Sequence, residues 1–383
     1  MSVISKSPGL VTDHCSLTTD NWNKPERLNA LTGLRFFAAL DIVFFHFSNP
    51  RWFGILAPVV NSGYVVVSLF FLLSGFVLSY NYSVQARAGK LDHARFWKAR
   101  FARLYPVYLL SLLLSWRMVS VEYGAHTHTI FWTGMVLTPL MLQGWIPSLA
   151  TFLNTPAWAM PAEAFMYALF PWLAKVKRPT RVRLTLLQLT AVWAVGMIPG
   201  LVYLTLNPDG LAHVDRWSWG PWLQALKFTP VPHLASFVFG ILLAGLDALV
   251  PRDSRLRLLF GLAGFAGAFG ILSLGPLVPY ALLHDGLLMP IFGCIVLGLA
   301  GENWMASAFS LRPLVFLGEA SYCLYLLHFN MCHLIQDYHL PERLGFSRFD
   351  PWLIYVLLIA AALLALYLVE KPAQRLMRQW LRM

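Results

Sequence analysis

Long apolar runs separated by short polar segments fill the chain from Leu34 to its C-terminal end. A helix needs about 20 apolar residues to cross a bilayer, and a tilted or flanked helix manages with fewer. Ten runs meet that requirement and are predicted to span: 34–48, 64–80, 104–121, 156–174, 184–206, 230–249, 256–274, 283–300, 314–336 and 352–369. The pattern predicts an all-α, polytopic membrane helix bundle of about ten transmembrane helices.

One further apolar stretch, 130–145, is interrupted by Gly134 and Pro139. These breaks favour either a re-entrant segment or a surface helix lying on the membrane. Non-helical backbone at membrane depth is tolerated only where it is buried in protein or lines a cavity. In the re-entrant alternative the stretch therefore walls a pocket on the outer side.

Basic residues indicate the orientation. With a cytoplasmic N-terminus and ten crossings, only six of the 29 Lys and Arg residues face outward. Those six are Arg51, Arg117, Arg216, Lys227, Arg343 and Arg348. This asymmetry is the positive-inside signature and would be lost if 130–145 also crossed. We predict two cytoplasmic termini, a polar tail over 1–27, a transmembrane domain over 28–373 and a basic tail over 374–383.

Composition narrows the classes of function. Of the 383 residues 58% are hydrophobic and 12% charged, whereas soluble domains have roughly 45–50% and about 25%. Any chemistry must therefore lie within the bundle or its short loops. The net charge of +11 follows from the cytoplasmic Lys and Arg, so no nucleic-acid partner is expected. None of the four cysteines has the paired spacing of a zinc or redox site, and we expect neither a disulfide nor a metal.

The first span contains two polar residues eleven positions apart, Arg35 and His46. At 100° per residue this is three turns plus about 20°, so both lie on one helix face, separated by a rise of roughly 16 Å. Arg35 would lie at the cytoplasmic end and His46 in the outer half. Alternatively, the arginine reaches the headgroups and the histidine is a packing residue.

Other polar residues follow in later segments. Ser74-Gly75 is a small pair that allows close helix approach. Arg100 and Arg103 share a helix face at the inner surface, where they can bind phosphate groups or anchor to anionic lipid. Glu163 is predicted in the outer half of a span, where a carboxylate needs a salt bridge or a polar cavity.

The ninth and tenth spans also contain polar groups. Ser321, Tyr325 and His328 lie among apolar residues, with Tyr325 and His328 one helical turn apart. The tenth span ends at Glu370-Lys371-Pro372. We assign that motif to structure, because proline stops the helix and Lys371 is expected to face lipid headgroups.

Taken together, these motifs resemble the acyltransferase 3 family. The likeness rests on Arg35 and His46, FFLLSGF, Arg100-x-x-Arg103, Trp158 with Glu163 and Pro171, SYCLYLLH, and Glu370-Lys371-Pro372, in family order. It implies ten spans in a bacterial inner membrane, acetyl-CoA or another acyl-CoA as donor, no metal, and transfer to a hydroxyl-bearing extracytoplasmic acceptor such as a glycan or lipid-linked glycan.

The resemblance also implies roles for residues. Arg35, Arg100 and Arg103 would bind the CoA, and His46 would serve the transfer as a general base or a transient acyl carrier. Glu163 would orient His46 or the acceptor, although Met160-Pro161-Ala162 departs from the small polar residues expected before it. Supporting positions are Ser74, Trp158, Tyr167, Ser321, Tyr325 and His328.

Two other functions compete with this one. A secondary transporter of a polar or anionic metabolite would also have intramembrane charges, but its class often shows internal repeats, and the two halves show no convincing one. The glycines at 261, 264, 267 and 270 are better explained by close helix packing. A different membrane acyltransferase class, acting on lipid or protein, is disfavoured by the Arg35 and His46 pair.

Overall fold

The computed structural model describes residues 28–176, 179–284 and 286–380, and no β-strand occurs within these ranges. The all-α prediction is confirmed. The α-helices in chain order are α1 (Asn29–Phe47), α2 (Ala57–Asn61), α3 (Val66–Arg87), α4 (His93–Leu114), α5 (Met118–Ala125), α6 (His128–Leu137), α7 (Ala159–Leu173), α8 (Val182–Leu206), α9 (Pro221–Phe228), α10 (Pro230–Leu249), α11 (Arg255–Ser273), α12 (Tyr280–His284), α13 (Met289–Leu299), α14 (Trp304–Phe309), α15 (Arg312–Glu319), α16 (Ser321–Asp337), α17 (Leu340–Arg343), α18 (Trp352–Ala365) and α19 (Lys371–Trp380).

Shorter helical turns connect several of these helices. The 3-10 turns are Pro50–Leu56, Gly63–Val65, Gln143–Trp145, Pro147–Leu149, Thr155–Trp158, Gly275–Leu277 and Ser347–Phe349. A π-helix, Leu366–Glu370, joins α18 to α19. The predicted tail 1–27 lies outside the described residues, whereas α19 shows that much of the predicted basic tail is helical.

Seven helical stretches in the described part of the chain are long and apolar enough to cross a membrane, or eight if α4 and α5, bent by 76°, form one span. The two other predicted spans are built from shorter pieces. Segment 156–174 forms the end of a 3-10 turn and the 15-residue α7, and 314–336 is divided between α15 and the 17-residue α16. The count of ten spans therefore stays a prediction.

The ambiguous stretch 130–145 does not form a spanning helix. Its helical part, α6, has ten residues and is about 15 Å long. Beyond Leu137 the chain turns, and the Gln143 side-chain amide lies 3.4 Å from the Ala157 carbonyl oxygen. Gly134 faces the Phe152 ring, which a Cβ atom there would meet at 2.8 Å. The stretch folds back against the turn that precedes α7.

Close helix contacts depend on small residues, as predicted for Ser74-Gly75. A Cβ atom on Gly75 would lie 2.0 Å from the Phe237 carbonyl oxygen of α10, and one on Gly240 would lie 2.0 Å from the Leu72 carbonyl oxygen of α3. The backbones of α3 and α10 therefore touch, which fixes the position of α3. That matters because α3 contributes several side chains to the cavity described below.

Of the four glycines at 261, 264, 267 and 270 on α11, the first two pack closely against α13. A Cβ on Gly261 would lie 3.4 Å from the Gly298 Cα, and one on Gly264 would lie 2.8 Å from the Ile295 nitrogen. The prediction of helix packing is confirmed there. At Gly270 a Cβ would meet nothing within 4 Å.

Candidate active site

A cavity lies among α1, α3, α4, α7 and α16. Together with the open space at its mouth, it has a volume of about 470 Å³. Its wall combines aromatic rings, hydroxyl groups, two guanidinium groups and one carboxyl group from distant parts of the chain. The lining residues are Arg35, Val67, Phe70, Phe71, Ser74, Arg103, Ala159, Met160, Glu163, Ser321, Tyr322 and Tyr325.

The two arginines of the cavity come from different helices. Arg35 lies in the second turn of α1, and Arg103 lies midway along α4. None of the salt bridges within the described residues includes either side chain. The Arg35 Nε atom is buried and has no hydrogen-bond partner there. Two guanidinium groups outside these salt bridges, one of them with an unused donor, suit an anionic ligand at this cavity.

Glu163 lies in the same cavity, one turn into α7. Its Oε1 atom accepts hydrogen bonds from the Tyr167 hydroxyl and, at 3.4 Å, from the Ser74 hydroxyl. We expected Glu163 to orient His46 or the acceptor from the outer half of the membrane. In the structure its hydroxyl partners lie beside Arg35 and Arg103, because α7 packs there against α3 and α4, and its role stays a prediction.

Arg100 lies one turn before Arg103 and does not line the cavity. Its guanidinium lies 5.8 Å from the Tyr82 ring centroid and 5.9 Å from that of Phe96, and it donates to the Tyr82 hydroxyl at 3.5 Å. The two arginines predicted to share one helix face therefore have different surroundings.

At the other end of α1, His46 faces α16. Its ring centroid lies 5.3 Å from that of His328, with 37° between the planes, and 5.7 Å from that of Phe329. The Nδ1 atom of His328 lies 2.5 Å from the Tyr325 carbonyl oxygen. The sequence placed both histidines in outer halves of spans but did not indicate that they face each other.

Three other predicted residues support these two regions. Tyr325 lines the cavity and donates its hydroxyl to the Pro156 carbonyl oxygen at 2.8 Å, while Ser321 has a buried hydroxyl oxygen without a partner in the described residues. Trp158 packs its ring 5.0 Å from that of His233 and 6.2 Å from that of Phe71, a cavity residue. Residues 154–158 are thereby tied to both α16 and α3.

Comparison with known proteins assigns the chain to a family. Residues 28–371 match the family described as an acyltransferase domain. The chain belongs to the acyltransferase 3 family. With its apolar helices, this makes it a multi-pass membrane acyltransferase.

Two curated relatives illustrate the likeness. Acyltransferase MdmB of Streptomyces mycarofaciens is 28% identical over 92% of this chain and 92% of its own length. The O-acetyltransferase OatA of Staphylococcus aureus is 22% identical over 89% of this chain, which spans 55% of that relative. No solved structure matches the chain. Together with the family match, these relatives indicate that this chain is an enzyme that transfers acyl or acetyl groups to oxygen.

Sequence reasoning missed Tyr322 as a member of the cavity wall, and it did not predict the partner that Lys371 has in the structure. Tyr322, which donates its hydroxyl to the Leu104 carbonyl oxygen at 2.7 Å, lines the cavity, and its place within SYCLYLLH was the available signal. Lys371 pairs with Glu319 at 3.0 Å. The acidic partner lies on α15, and the expectation that Lys371 faces lipid headgroups stays a prediction.

Glu370 makes structural contacts, as assigned, but the expectation that proline stops the helix is wrong, because α19 continues past Pro372 to Trp380. Glu370 ends the π-helix, is only 5% exposed, and accepts hydrogen bonds from the Cys323 thiol at 3.3 Å and from the Gln374 amide at 2.9 Å. Among the described residues, no group of three His, Cys, Asp or Glu side chains is placed to hold a metal ion.

Proposed function

We propose that this acyltransferase moves an acetyl group from cytoplasmic acetyl-CoA to a hydroxyl of an extracytoplasmic glycan or lipid-linked glycan. The observation that carries the proposal is the arrangement along α1. Its first turns present Arg35 to a cavity that Arg103 also lines, and its last turn presents His46 to His328. The two α1 residues are separated by a rise of about 16 Å.

The cavity supports donor binding at the inner side. A CoA thioester carries phosphates and is too polar to cross the bilayer, so the enzyme must reach it from the cytoplasm. Arg35 and Arg103 would bind phosphate oxygens, since guanidinium groups match them in geometry and charge. Arg100, outside the cavity, would attract the donor at its entrance. The pantetheine arm would then lie along the aromatic wall toward His46.

His46 would then perform the transfer. As general base it takes the proton of the acceptor hydroxyl while the oxygen attacks the thioester carbonyl. The carbon–sulfur bond breaks, and the CoA thiolate receives the proton to leave as a thiol. As transient acyl carrier, the imidazole attacks first and the hydroxyl then takes the acyl group. Rapid mixing with labelled acetyl-CoA followed by acid quenching distinguishes the two, because only the second gives labelled protein.

The proposal includes a topology. Ten spans with both termini cytoplasmic, in a bacterial inner membrane, leave 23 of the 29 Lys and Arg residues on the inner side. In this arrangement α7 and α16 each cross together with the turn or short helix before it. Cysteine labelling from each side of sealed vesicles, at exposed positions of the loops between helices, tests it.

Thioester cleavage by the purified protein tests the function. The protein in lipid nanodiscs, given acetyl-CoA and a hydroxyl-bearing glycan fragment, is expected to release CoA thiol together with acetylated glycan. A secondary transporter would leave the thioester intact and would instead move its metabolite across sealed vesicles. The absence of CoA release with every acceptor class offered, from well-folded protein, would contradict the proposal.

A further inference from the structure

The segment between α8 and α9 holds an arginine against two aromatic rings. The Arg216 Cζ atom lies 4.6 Å from the Phe45 ring centroid and 4.4 Å from that of Trp217. A guanidinium that stacks on rings keeps its N–H donors at the edge of its own plane. Arg216 is half-buried, and its Nη1 atom makes no hydrogen bond within the described residues. The group therefore has donor capacity that the protein leaves unused.

The charge of Arg216 also lacks an ion pair. None of the salt bridges in the described part of the chain includes it. The carboxyl group next to it, that of Asp215, accepts instead from the Trp217 N–H at 2.8 Å and the Ser218 hydroxyl at 2.9 Å. A second cation, Lys227, donates to the carbonyl oxygens of Ser218 at 2.9 Å and Arg216 at 3.5 Å. These bonds give the segment a defined shape and hold Arg216 in place.

Arg216 lies at the same end of α1 as His46. The Phe45 ring that it contacts has its centroid 4.9 Å from that of His46. The same ring lies 5.8 Å from that of Tyr64, which stacks on His284 at 5.6 Å with 11° between the planes. The His284 Nδ1 atom is buried and has no hydrogen-bond partner among the described residues. A cation and a second unsatisfied polar atom thus lie around the last turn of α1.

We propose that Arg216 binds an anionic group of the acceptor, either a carboxylate of an acidic sugar or a phosphate of a lipid-linked glycan. Both groups present oxygen atoms that match a guanidinium in geometry and charge. An acceptor whose hydroxyl lies at His46 would place a neighbouring group beside the Phe45 ring, where Arg216 stacks. This inference rests on the proposed function, in which His46 serves the transfer.

The predicted topology agrees with this assignment. Arg216 and Lys227 are two of the six Lys and Arg residues predicted to face outward, the side on which the acceptor is expected. Arg35 lies near the other end of the same helix. The donor and the acceptor would therefore each have a cationic site of their own, and substitutions at the two sites should affect the binding of different substrates.

Arg216→Gln removes the charge and keeps a planar side chain that can still lie on the rings. With an anionic acceptor, the KM for the acceptor should rise about 10- to 100-fold, the range for losing a hydrogen bond to a charged group. The KM for acetyl-CoA should stay near wild type. Arg348→Gln is the matched control, because Arg348 is exposed, is also predicted to face outward, and stacks 4.6 Å from the Phe349 ring centroid.

A binding measurement does not depend on turnover. Calorimetric titration of the protein in phosphatidylcholine nanodiscs, without acetyl-CoA, would use trigalacturonate, its neutral methyl ester and N-acetylglucosamine linked to farnesyl diphosphate. Arg216→Gln should weaken binding of at least one anionic probe about 10- to 100-fold and leave the neutral ester unchanged. The probe that is affected identifies carboxylate or phosphate as the group bound. Arg348→Gln should bind all three probes as the wild type does.

Three results would overturn the acceptor role of Arg216. Both anionic probes could bind Arg216→Gln as tightly as wild type, or the neutral ester could lose affinity equally, which would indicate a packing defect. Competition by phosphatidylglycerol added to the nanodiscs would assign Arg216 to a lipid headgroup instead. Failure of the acetyl transfer assay with the expected binding pattern intact would locate the error in the proposed function.

Discussion

The two ends of α1 place their polar residues in very different surroundings. Arg35 faces a cavity with a second guanidinium, a carboxyl group and hydroxyl groups, whereas His46 packs against Phe329, Phe47 and His328. A cavity lined by several polar groups can bind a polar ligand, and aromatic rings around an imidazole limit its contact with water. The contrast supports the proposal that donor binding and chemistry are separated along one helix. Substitutions at the two ends should therefore change different kinetic constants.

The largest effect is expected from His46→Ala. Removing a general base typically lowers the rate about 10²- to 10⁴-fold, so kcat for acetyl transfer should fall by that amount with little change in the KM for acetyl-CoA. His333→Ala is the matched control, because His333 lies on α16 and packs against Phe47 and Phe329. A folded His46→Ala variant with full activity would refute the assignment.

Arg35→Ala should act on the donor instead. A hydrogen bond to a charged group contributes about 1.5–3 kcal/mol, so the KM for acetyl-CoA should rise about 10- to 100-fold while kcat changes less. Arg95 is exposed on α4 and lies outside the cavity. The control Arg95→Ala should therefore leave kcat and the KM for acetyl-CoA near wild type. A drop in kcat with an unchanged KM would show that the inner end of α1 is not a donor site.

Gly75→Ala tests whether packing of α3 on α10 holds the cavity wall in place. The added Cβ would lie 2.0 Å from the Phe237 carbonyl oxygen, and overpacking of this kind costs about 1–3 kcal/mol of unfolding free energy. Thermal or denaturant unfolding in detergent measures the loss. Gly270→Ala, where a Cβ meets nothing within 4 Å, is the control, and equal stability of the two variants would contradict the packing account.

The smallest effect is expected from Arg100→Ala. Since Arg100 lies outside the cavity against Tyr82 and Phe96, its loss should raise the KM for acetyl-CoA by no more than about 5-fold, in the range of exposed charge interactions. Titration of acetyl-CoA in the same assay measures it. A rise as large as that of Arg35→Ala would place the donor phosphates nearer the membrane surface than the cavity.

Much of the cavity membership was predictable from sequence. Arg35, Ser74, Glu163, Ser321 and Tyr325 were singled out as polar residues in apolar segments, and Arg103 as a phosphate or lipid contact at the inner surface. All six line the cavity. The reason is physical, since a polar group inside a bilayer has to face protein or a cavity. The all-α fold was predictable for a related reason. A long apolar run in a membrane has to satisfy its backbone N–H and C=O groups within the segment, which an α-helix does.

The pairings were not predictable in the same way. Glu163 meets Ser74 across 89 positions of sequence, and His46 meets His328 only because α1 packs on α16. Hydropathy gives each span an approximate depth but neither its rotation nor its neighbours. The breaks before α7 and α16 likewise depend on tertiary packing, which hydropathy does not report.

The most direct test of the central claim is a cryo-electron microscopy structure with a non-transferable thioether analogue of acetyl-CoA. The account predicts phosphate oxygens within hydrogen-bonding distance of Arg35 and Arg103, and the analogue's carbonyl carbon beside His46. Phosphates bound elsewhere, or an acyl group that ends away from His46 with that imidazole facing lipid, would contradict it.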